Sequence, residues 1–276
     1  MNLIVQGLDV ATPDLKQLAK MSGASSIEAL TPTAFKLPGA APAAAVESYS
    51  DQARLDYAFV PDDRRLADFK LCVMDMDSTL ITIECIDEIA DMVGVKPQVA
   101  AITAAAMRGE LDYPQSLRQR VSLLKGLDAQ ALQRVYEERL KLSPGAQIML
   151  DGFRKAGLKT LLVSGGFTFF TERLQRRLDI DYTRSNVLDI VDGKLSGDVI
   201  GDIVDANVKR DALVKCRDEL GLRKEQLIAI GDGANDLKFL AEAHVSIAYH
   251  AKPVVRAQAT HAINYVGLDG VLNLFN

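Results

Sequence analysis

The chain has no tryptophan, three histidines and three cysteines among its 276 residues. Cys72, Cys85 and Cys216 are odd in number and lack metal-type spacing. Neither a disulfide framework nor a thiolate zinc site is therefore expected, and the three read as inert thiols of a reducing cytoplasm. His244, His250 and His261 share no ligand spacing, which argues against a histidine metal site or a catalytic histidine. No apolar run is long enough to span a membrane. Met1-Asn2 leads at once into a strand-like run rather than a basic segment and an apolar core, so no secretory signal is expected. A large charge of one sign is also missing. The formal net charge of −5 excludes a basic nucleic-acid footprint. What is present, 48% hydrophobic and 25% charged residues, matches an ordinary globular protein with room for one large domain and one or two small ones.

Residues 1–66 read as a small α+β module. Strand-like runs at Leu3–Val5, Ser26–Phe35 and Leu55–Val60 alternate with helices over Pro13–Met21, capped by Thr12, and Ala44–Ala53. The module holds no constellation that translates into chemistry, and a structural or dimerising role is expected of it. From residue 67 onward strands and helices alternate. The strands are Leu71–Met74, Leu158–Val163, Leu227–Ile230, Val245–Ala248 and Ala262–Val266. The helices are Ala146–Lys155, Phe169–Leu178, Lys209–Leu220, Asn235–Ala243 and Val254–Ala257. Such βα alternation implies a parallel sheet covered on both faces. Val191-Asp192-Gly193-Lys194 predicts a hairpin turn and a small antiparallel flap. Residues 82–142 interrupt the alternation with four amphipathic helical stretches, which predict a small bundle placed as a lid beside the first core strand.

Three short segments follow three of the predicted strands: Asp75-Met76-Asp77-Ser78-Thr79, Ser164-Gly165-Gly166-Phe167 and Gly231-Asp232-Gly233-Ala234-Asn235-Asp236. Loops at the carboxyl ends of strands in an open α/β sheet can converge on one ligand. Asp75 and Asp77, two apart, would share a face of an extended strand. Two close carboxylates share a proton or bind a cation, which suits one ionised nucleophile, one proton donor and a hard metal. The chemistry indicated is phosphoryl transfer through an aspartyl-phosphate. Mg²⁺ prefers oxygen ligands; Asp75 and Asp232 can supply carboxylates and Asp77 its main-chain carbonyl, while Asp236 can orient a metal-bound water. Ser164 offers a hydroxyl, and Gly165 allows its N–H to approach a phosphate oxygen. Lys209 would steady the phosphoryl group and favour the ionised form of Asp75. Taken singly, these features are ordinary: surface Asp-x-Asp pairs, Ser-Gly-Gly turns and solvated helical lysines are common. Their joint occurrence, in this order and after successive strands, is what points to one site.

The same series resembles the haloacid dehalogenase superfamily, and most closely its phosphoserine phosphatases, over residues from about Lys70 to Val266. Segments of the insertion share the resemblance: Glu84 to Ala90, Ile102-Thr103 with Ala106 to Gly109, and Gln115 to Leu124. The N-terminal 66 residues are loosely similar to an amino-acid-binding ACT module but too short for a pair of them. The resemblance implies a Rossmann-like parallel-sheet core with an inserted helical-bundle cap. It implies Mg²⁺-dependent hydrolysis of O-phospho-L-serine, the last step of serine biosynthesis. Asp75 would be the nucleophile and Asp77 the acid and base. Glu84 would take the substrate's ammonium group and Arg120 its carboxylate; a bidentate guanidinium suits a carboxylate. Met107 and Tyr113 would wall the pocket, and Asn235 would contact substrate or phosphate. Arg118, two residues from Arg120, is expected at the surface. The expected partner is this small molecule, with room for a homodimer and with neither nucleic acid nor membrane. Another small amino-alcohol phosphate such as phosphohomoserine is the alternative substrate. A phospho-acceptor signalling domain would need neither the acid at Asp77 nor the helical insertion. An amino-acid sensor built on residues 1–66 would bind serine as a fragment.

Overall fold

The computed structural model describes residues 1–275. Near the N-terminus, β1 (Asn2–Gln6), β2 (Glu28–Thr31), β3 (Ala34–Leu37) and β4 (Asp56–Val60) form an antiparallel sheet in the order β2-β3-β1-β4. The helices α1 (Thr12–Ser22) and α2 (Ala44–Ala53) complete this unit. Side chains alternate along β1. Leu3 and Val5 pack with Leu15, Leu18 and Val46 of the helices, whereas Ile4 joins Ala58, Val60 and the main core. Both faces are covered, which is why Leu3-Ile4-Val5 is an unbroken apolar run. The single strand expected over Ser26–Phe35 is instead a hairpin. Pro32 lacks an N–H for a ladder and sits with Thr33 in the turn between β2 and β3. Thr12 is the first residue of α1 rather than its cap; Ala11 holds the cap position without a side-chain bond, and Pro13 pre-sets the first turn.

The second sheet has seven strands: β5 (Leu71–Met74), β6 (Lys159–Phe167), β7 (Tyr182–Val191), β8 (Lys194–Ile200), β9 (Leu227–Gly231), β10 (Val245–Tyr249) and β11 (His261–Ile263). Their order is β11-β10-β9-β5-β6-β7-β8, and only β8 runs antiparallel. Four helices fill the insertion, α3 (Cys85–Met92), α4 (Lys96–Met107), α5 (Tyr113–Ser122) and α6 (Gln130–Arg134), the last continuing as a wider turn through Arg139. The neck of the insertion closes by an antiparallel bridge between Ile81 and Leu142, flanked by Thr82 N–H to Lys141 O and Ser143 N–H to Leu80 O, both 3.0 Å. Ile86, Ile89, Val99, Leu117, Val121 and Leu132 bury the inner face of this bundle in continuity with the main core. Around the sheet, Cys72 and Met74 face α7 (Ala146–Lys155) and α8 (Thr168–Leu178). Leu71 and Val73 face α9 (Ala206–Glu219), α10 (Leu237–Leu240) and α11 (Pro253–Arg256). The centre strand β5 is thus buried on both sides and delivers its last residues to the carboxyl edge of the sheet.

The expected antiparallel hairpin forms as β7–β8, and it also extends the sheet, since β7 pairs with β6 in parallel from Leu161–Tyr182 to Val163–Arg184. Its turn, with Asp192 at φ 49° and Gly193 at φ 75°, abuts the insertion through Gly126 N–H to Leu195 O and Ala129 N–H to Gly193 O, both 2.8 Å. The strand β11 stops at Ile263 instead of Val266. The buried Asp56 carboxylate takes the next three N–H groups, of Asn264, Tyr265 and Val266, at 2.6, 3.0 and 3.0 Å. The helix expected over Asn235–Ala243 begins as a tight 3₁₀ turn at Ala234–Asp236, because the Asp236 side chain captures N–H groups of its own loop.

His261 makes the contact between the two sheets pH-sensitive. A guanidinium has only donors, so Arg64 Nη1, 2.6 Å from His261 Nε2, fixes the ring as neutral with its proton on Nδ1. Burial, and then the Arg64 charge, push the His261 pKa down to about 3. Between that value and the unfolded value near 6.5, the unfolded chain binds the extra proton, so stability falls as pH falls. Acidification from about pH 7.5 to about pH 5 should cost about 2 kcal/mol through this group alone. Urea unfolding of the wild type and of His261→Gln at both pH values should show a shallower loss in the variant. An equal loss would assign the acid sensitivity to other groups.

Candidate active site

Asp75 directly follows β5 and is 5% exposed. Its N–H still donates to Ile230 O at 3.0 Å, but regular pairing ends at Met74. Residues 76–80 form a wide turn closed by Ile81 N–H to Met76 O, with Asp77 extended and Ser78 left-handed at φ 58°. Asp75 and Asp77 therefore reach one cavity through this turn and not through strand alternation. A serine at positive φ is strained, and such strain persists where the surroundings over-determine it. Ser78 is held at both ends: its N–H donates to Ile83 O and its hydroxyl to Glu84 Oε1 at 2.6 Å.

Lys209, in the first turn of α9, is 1% exposed, and its ammonium lies 2.6 Å from Asp75 Oδ1 and 2.8 Å from Asp236 Oδ1. The α9 terminus is set by Asp205, whose carboxylate caps the Asn207 and Val208 N–H groups. Burial alone would push the Lys209 pKa down; Asp236 and Asp75 hold it above its ordinary value, so it stays charged. The other oxygen of Asp236 accepts the N–H groups of Asp232 (3.1 Å) and Gly233 (3.0 Å). Asp236 thus ties the loop after β9 to Lys209. Asp232 Oδ1 receives the Thr79 hydroxyl at 2.9 Å.

Ser164 to Phe167 lie inside β6, which runs four residues further than the sequence indicates, with its β7 register broken between Val163 and Phe167. Ser164 is fully buried, just behind the cavity wall, and its Oγ accepts the Gly166 N–H at 2.8 Å. Gly165 and Gly166 form that wall. A Cβ on Gly165 would collide with the Tyr113 hydroxyl, and one on Gly166 would meet Asp77 Oδ2 at 2.9 Å. Glycine is required here for close approach. The Gly165 carbonyl receives Asn186 Nδ2 at 2.7 Å and the Tyr113 hydroxyl at 3.2 Å. Tyr113 begins α5, so this bond joins insertion to core.

The cavity encloses about 620 Å³. Asp75, Asp77, Glu84, Tyr113, Arg120 and Lys209 line it, together with Met107, Gly165, Asp232 and Asn235. Met107 borders it although 68% exposed. Arg118 does not line it and is exposed, as its helical offset indicates. No ion pair joins Glu84 to Arg120 among the described residues; Arg120 Nε donates to Ser116 O at 3.3 Å. Sequence reading missed Asn186, Ser78 and the Cys85 N–H, which donates to Asp77 Oδ1 at 3.2 Å. Ser78 was inside the motif, but its grip on Glu84 depends on the left-handed turn. Asn186 had no local signal.

The charges in this cavity oppose one another. Asp77 is pushed up to about 7 by burial and then by Glu84, against the Cys85 bond, which suits a group that gives and takes a proton near neutrality. Asp232 rises to about 6, through burial and Asp236. Asp75 is raised by burial and by Asp236, against the pull of Lys209. Asp75, Asp232 and Asp236 have carboxylate oxygens within 4.8 Å of one another, with one ammonium between them. An all-oxygen set with surplus negative charge is the donor set of a hard divalent cation, so the residues fit one.

A family model described as haloacid dehalogenase-like hydrolase matches residues 69–244, and one described as a domain of unknown function (DUF4072) matches residues 3–46. Over 217 residues, 77% of this chain and 92% of the relative, the chain is 57% identical to a phosphoserine phosphatase of Polaromonas sp.. The unliganded crystal structure of a probable phosphoserine phosphatase from Vibrio cholerae superposes with TM-score 0.87 at 38% identity, covering 99% of this chain and 85% of that one. A substrate-bound phosphoserine phosphatase complex superposes with TM-score 0.70 at 37% identity, over 75% of this chain and 99% of that one.

Replacing Lys209 by Met strands two buried carboxylates. The expected loss of stability is about 3–5 kcal/mol near neutral pH, measured by urea unfolding. A loss under about 1 kcal/mol would mean that these carboxylates can stand without Lys209.

Proposed function

Because this chain belongs to the haloacid dehalogenase-like hydrolases, and among them to the phosphoserine phosphatases, we propose that the cavity around Asp75 is where it hydrolyses O-phospho-L-serine to L-serine and phosphate. The observation that carries the reading is the placement of Glu84 and Arg120, unpaired with each other, in the cavity that also holds Asp75 and Asp77. Serine carries one ammonium and one carboxylate, and an opposite-charge pair of side chains can read both.

In this reading Lys209 pins one oxygen of Asp75 and leaves the other free to attack phosphorus. As the Asp75 O–P bond forms, the bond from phosphorus to the seryl oxygen breaks. That oxygen takes the proton of Asp77, and L-serine leaves. Water then attacks the aspartyl-phosphate, giving its proton back to Asp77, and the Asp75 carboxylate is regenerated as phosphate departs. The pKa of Asp77 near 7 supports both halves of this exchange. The Gly165 N–H would hold a phosphoryl oxygen, Ser164, expected to contact it, would instead brace that wall from behind through the Gly166 N–H, Asn235 would contact the phosphate or the serine, and Met107 and Tyr113 would wall the pocket. Magnesium is the cation we assign, held by Asp75, Asp232 and the Asp77 main-chain carbonyl. When bound it would offset phosphoryl charge against these carboxylates. Asp236, with both oxygens engaged by N–H donors, would orient rather than ligate.

We also read residues 1–66 as an N-terminal module, 67–276 as the catalytic core and 82–142 as its cap. The closed neck at Ile81 and Leu142 and the separate N-terminal sheet support these bounds. In the same reading the reaction is the last step of serine biosynthesis in a reducing cytoplasm, and the assembly leaves room for a homodimer. Three buried free thiols agree with that compartment. No described helix is long and apolar enough to cross a membrane.

Asp75→Asn should abolish steady-state phosphate release, because an amide does not form the acyl-phosphate. Substantial turnover, with deamidation excluded by mass spectrometry, would sink the covalent route. Glu84→Gln and Arg120→Ala should each lower kcat/KM for phosphoserine by roughly 10²-fold or more, the scale of stranding one buried charge. Both should affect p-nitrophenyl phosphate much less, since it has no amino-acid groups. Parallel losses on the two substrates would assign Glu84 and Arg120 to folding or cap closure.

A further inference from the structure

Three cations line the cavity, and Lys252 is the one without a role in the scheme above. Lys209 is consumed by Asp75 and Asp236, and Arg120 faces the amino-acid end. Lys252 stands in the loop after β10, and its ammonium makes no hydrogen bond or ion pair among the described residues. Its backbone, by contrast, is fixed from three directions. His250 reverses the chain at φ 46°. The Lys252 N–H donates to the Asp232 carbonyl at 3.3 Å. Pro253 follows and holds Lys252 extended, at φ −63° and ψ 151°. A charge with no partner is thus carried on a backbone bolted to the loop that supplies Asp232, on the phosphoryl side of the cavity.

The need for such a charge follows from the lining. Five carboxylates, of Asp75, Asp77, Glu84, Asp87 and Asp232, face three cations. A phosphomonoester carries close to two negative charges at neutral pH. It meets this field before it meets Lys209, which is 1% exposed and out of reach from solvent. Clefts focus the field of their charges, so one exposed cation at the mouth changes how an anion enters.

We propose that Lys252 is the cation that draws the phosphoryl group into the cavity and holds it beside the Asp232 loop on its way to Asp75. The proposal rests on the phosphomonoesterase reading of the site. Lys252 touches the phosphate and no other part of the substrate, so phosphoserine and p-nitrophenyl phosphate depend on it alike. No bond is made or broken by this residue; its contribution is to binding.

The test compares wild type, Lys252→Ala and Lys252→Arg by steady-state kinetics on both substrates with magnesium, at low and raised ionic strength. Phosphate binding is measured in parallel by calorimetry. The Ala substitution keeps the main-chain bond to Asp232, so the loop stays in place. It should lower kcat/KM roughly tenfold at low salt on both substrates, through KM, at the modest end of electrostatic steering. It should also flatten the salt dependence and weaken phosphate binding, and Lys252→Arg should restore all three. Unchanged KM and salt dependence would overturn the proposal, as would a fall in kcat at constant KM. Phosphate affinity reads Lys252 without turnover, so it decides the matter even if phosphoserine proves not to be the substrate. Equal affinity in wild type and Lys252→Ala overturns the role.

Discussion

The ammonium of Lys209, buried between Asp75 and Asp236, is the contact on which the rest of the site depends. It joins helix α9 to the ends of β5 and β9 at 2.6 and 2.8 Å, in an interior where none of the three charges has enough water to stand alone. Two carboxylates and one ammonium leave negative charge over, and Asp232 adds more. The surplus fits a cation, and burial, followed by the charge of Asp236, raises the Asp75 and Asp232 pKa values. The interaction is therefore a poor source of stability for its own sake and a good device for keeping the Asp75 carboxylate in one place. Neighbouring polar contacts hold the same elements: Thr79 on Asp232, the loop N–H groups on Asp236, and Asp205 at the start of α9.

The cap adds a second layer with a different logic. Its Glu84 and Arg120 are within one cavity yet not joined, so each is left facing the cavity. A strained Ser78 backbone aims Glu84, and the Tyr113 hydroxyl closes the cap on the Gly165 carbonyl that Asn186 already holds. In the proposed scheme chemistry and selection are thereby divided between parts of the chain that can vary separately. The N-terminal sheet stands further off, but it is not an appendage. Ile4, Ala58 and Val60 lie in the main core, and Asp56 ends β11 by taking its next three N–H groups.

Much of the fold was legible because its elements are regular and locally signalled. β5, α2 and α7 have the bounds expected of them, since apolar period and flanking glycine or proline act over a few residues. The four cap helices follow from their apolar spacing. Errors fell where a distant group intervened. β11 is short because Asp56, more than two hundred positions away, captures its backbone. The β7–β8 hairpin is signalled by its Asp-Gly turn, but nothing local tells that β6 lies open beside β7. The Ser164–Phe167 segment reads as a loop and pairs as the irregular end of a strand.

The sequence by itself determined which chemistries were available: two acids after one strand, a Gly-Asp-Gly-Ala-Asn-Asp loop after another, no histidine or cysteine set to compete, and an insertion carrying Glu84 and Arg120. These are matters of composition and order, which covalent structure specifies completely. The tertiary structure alone decided what each charge does. Lys209 is 134 positions from Asp75, and Asn186 and Lys252 carry no motif at all. A carboxylate becomes a nucleophile, a proton carrier or a brace according to its distance from other charges and from water. Those distances exist only once the sheet has brought the ends of its strands together.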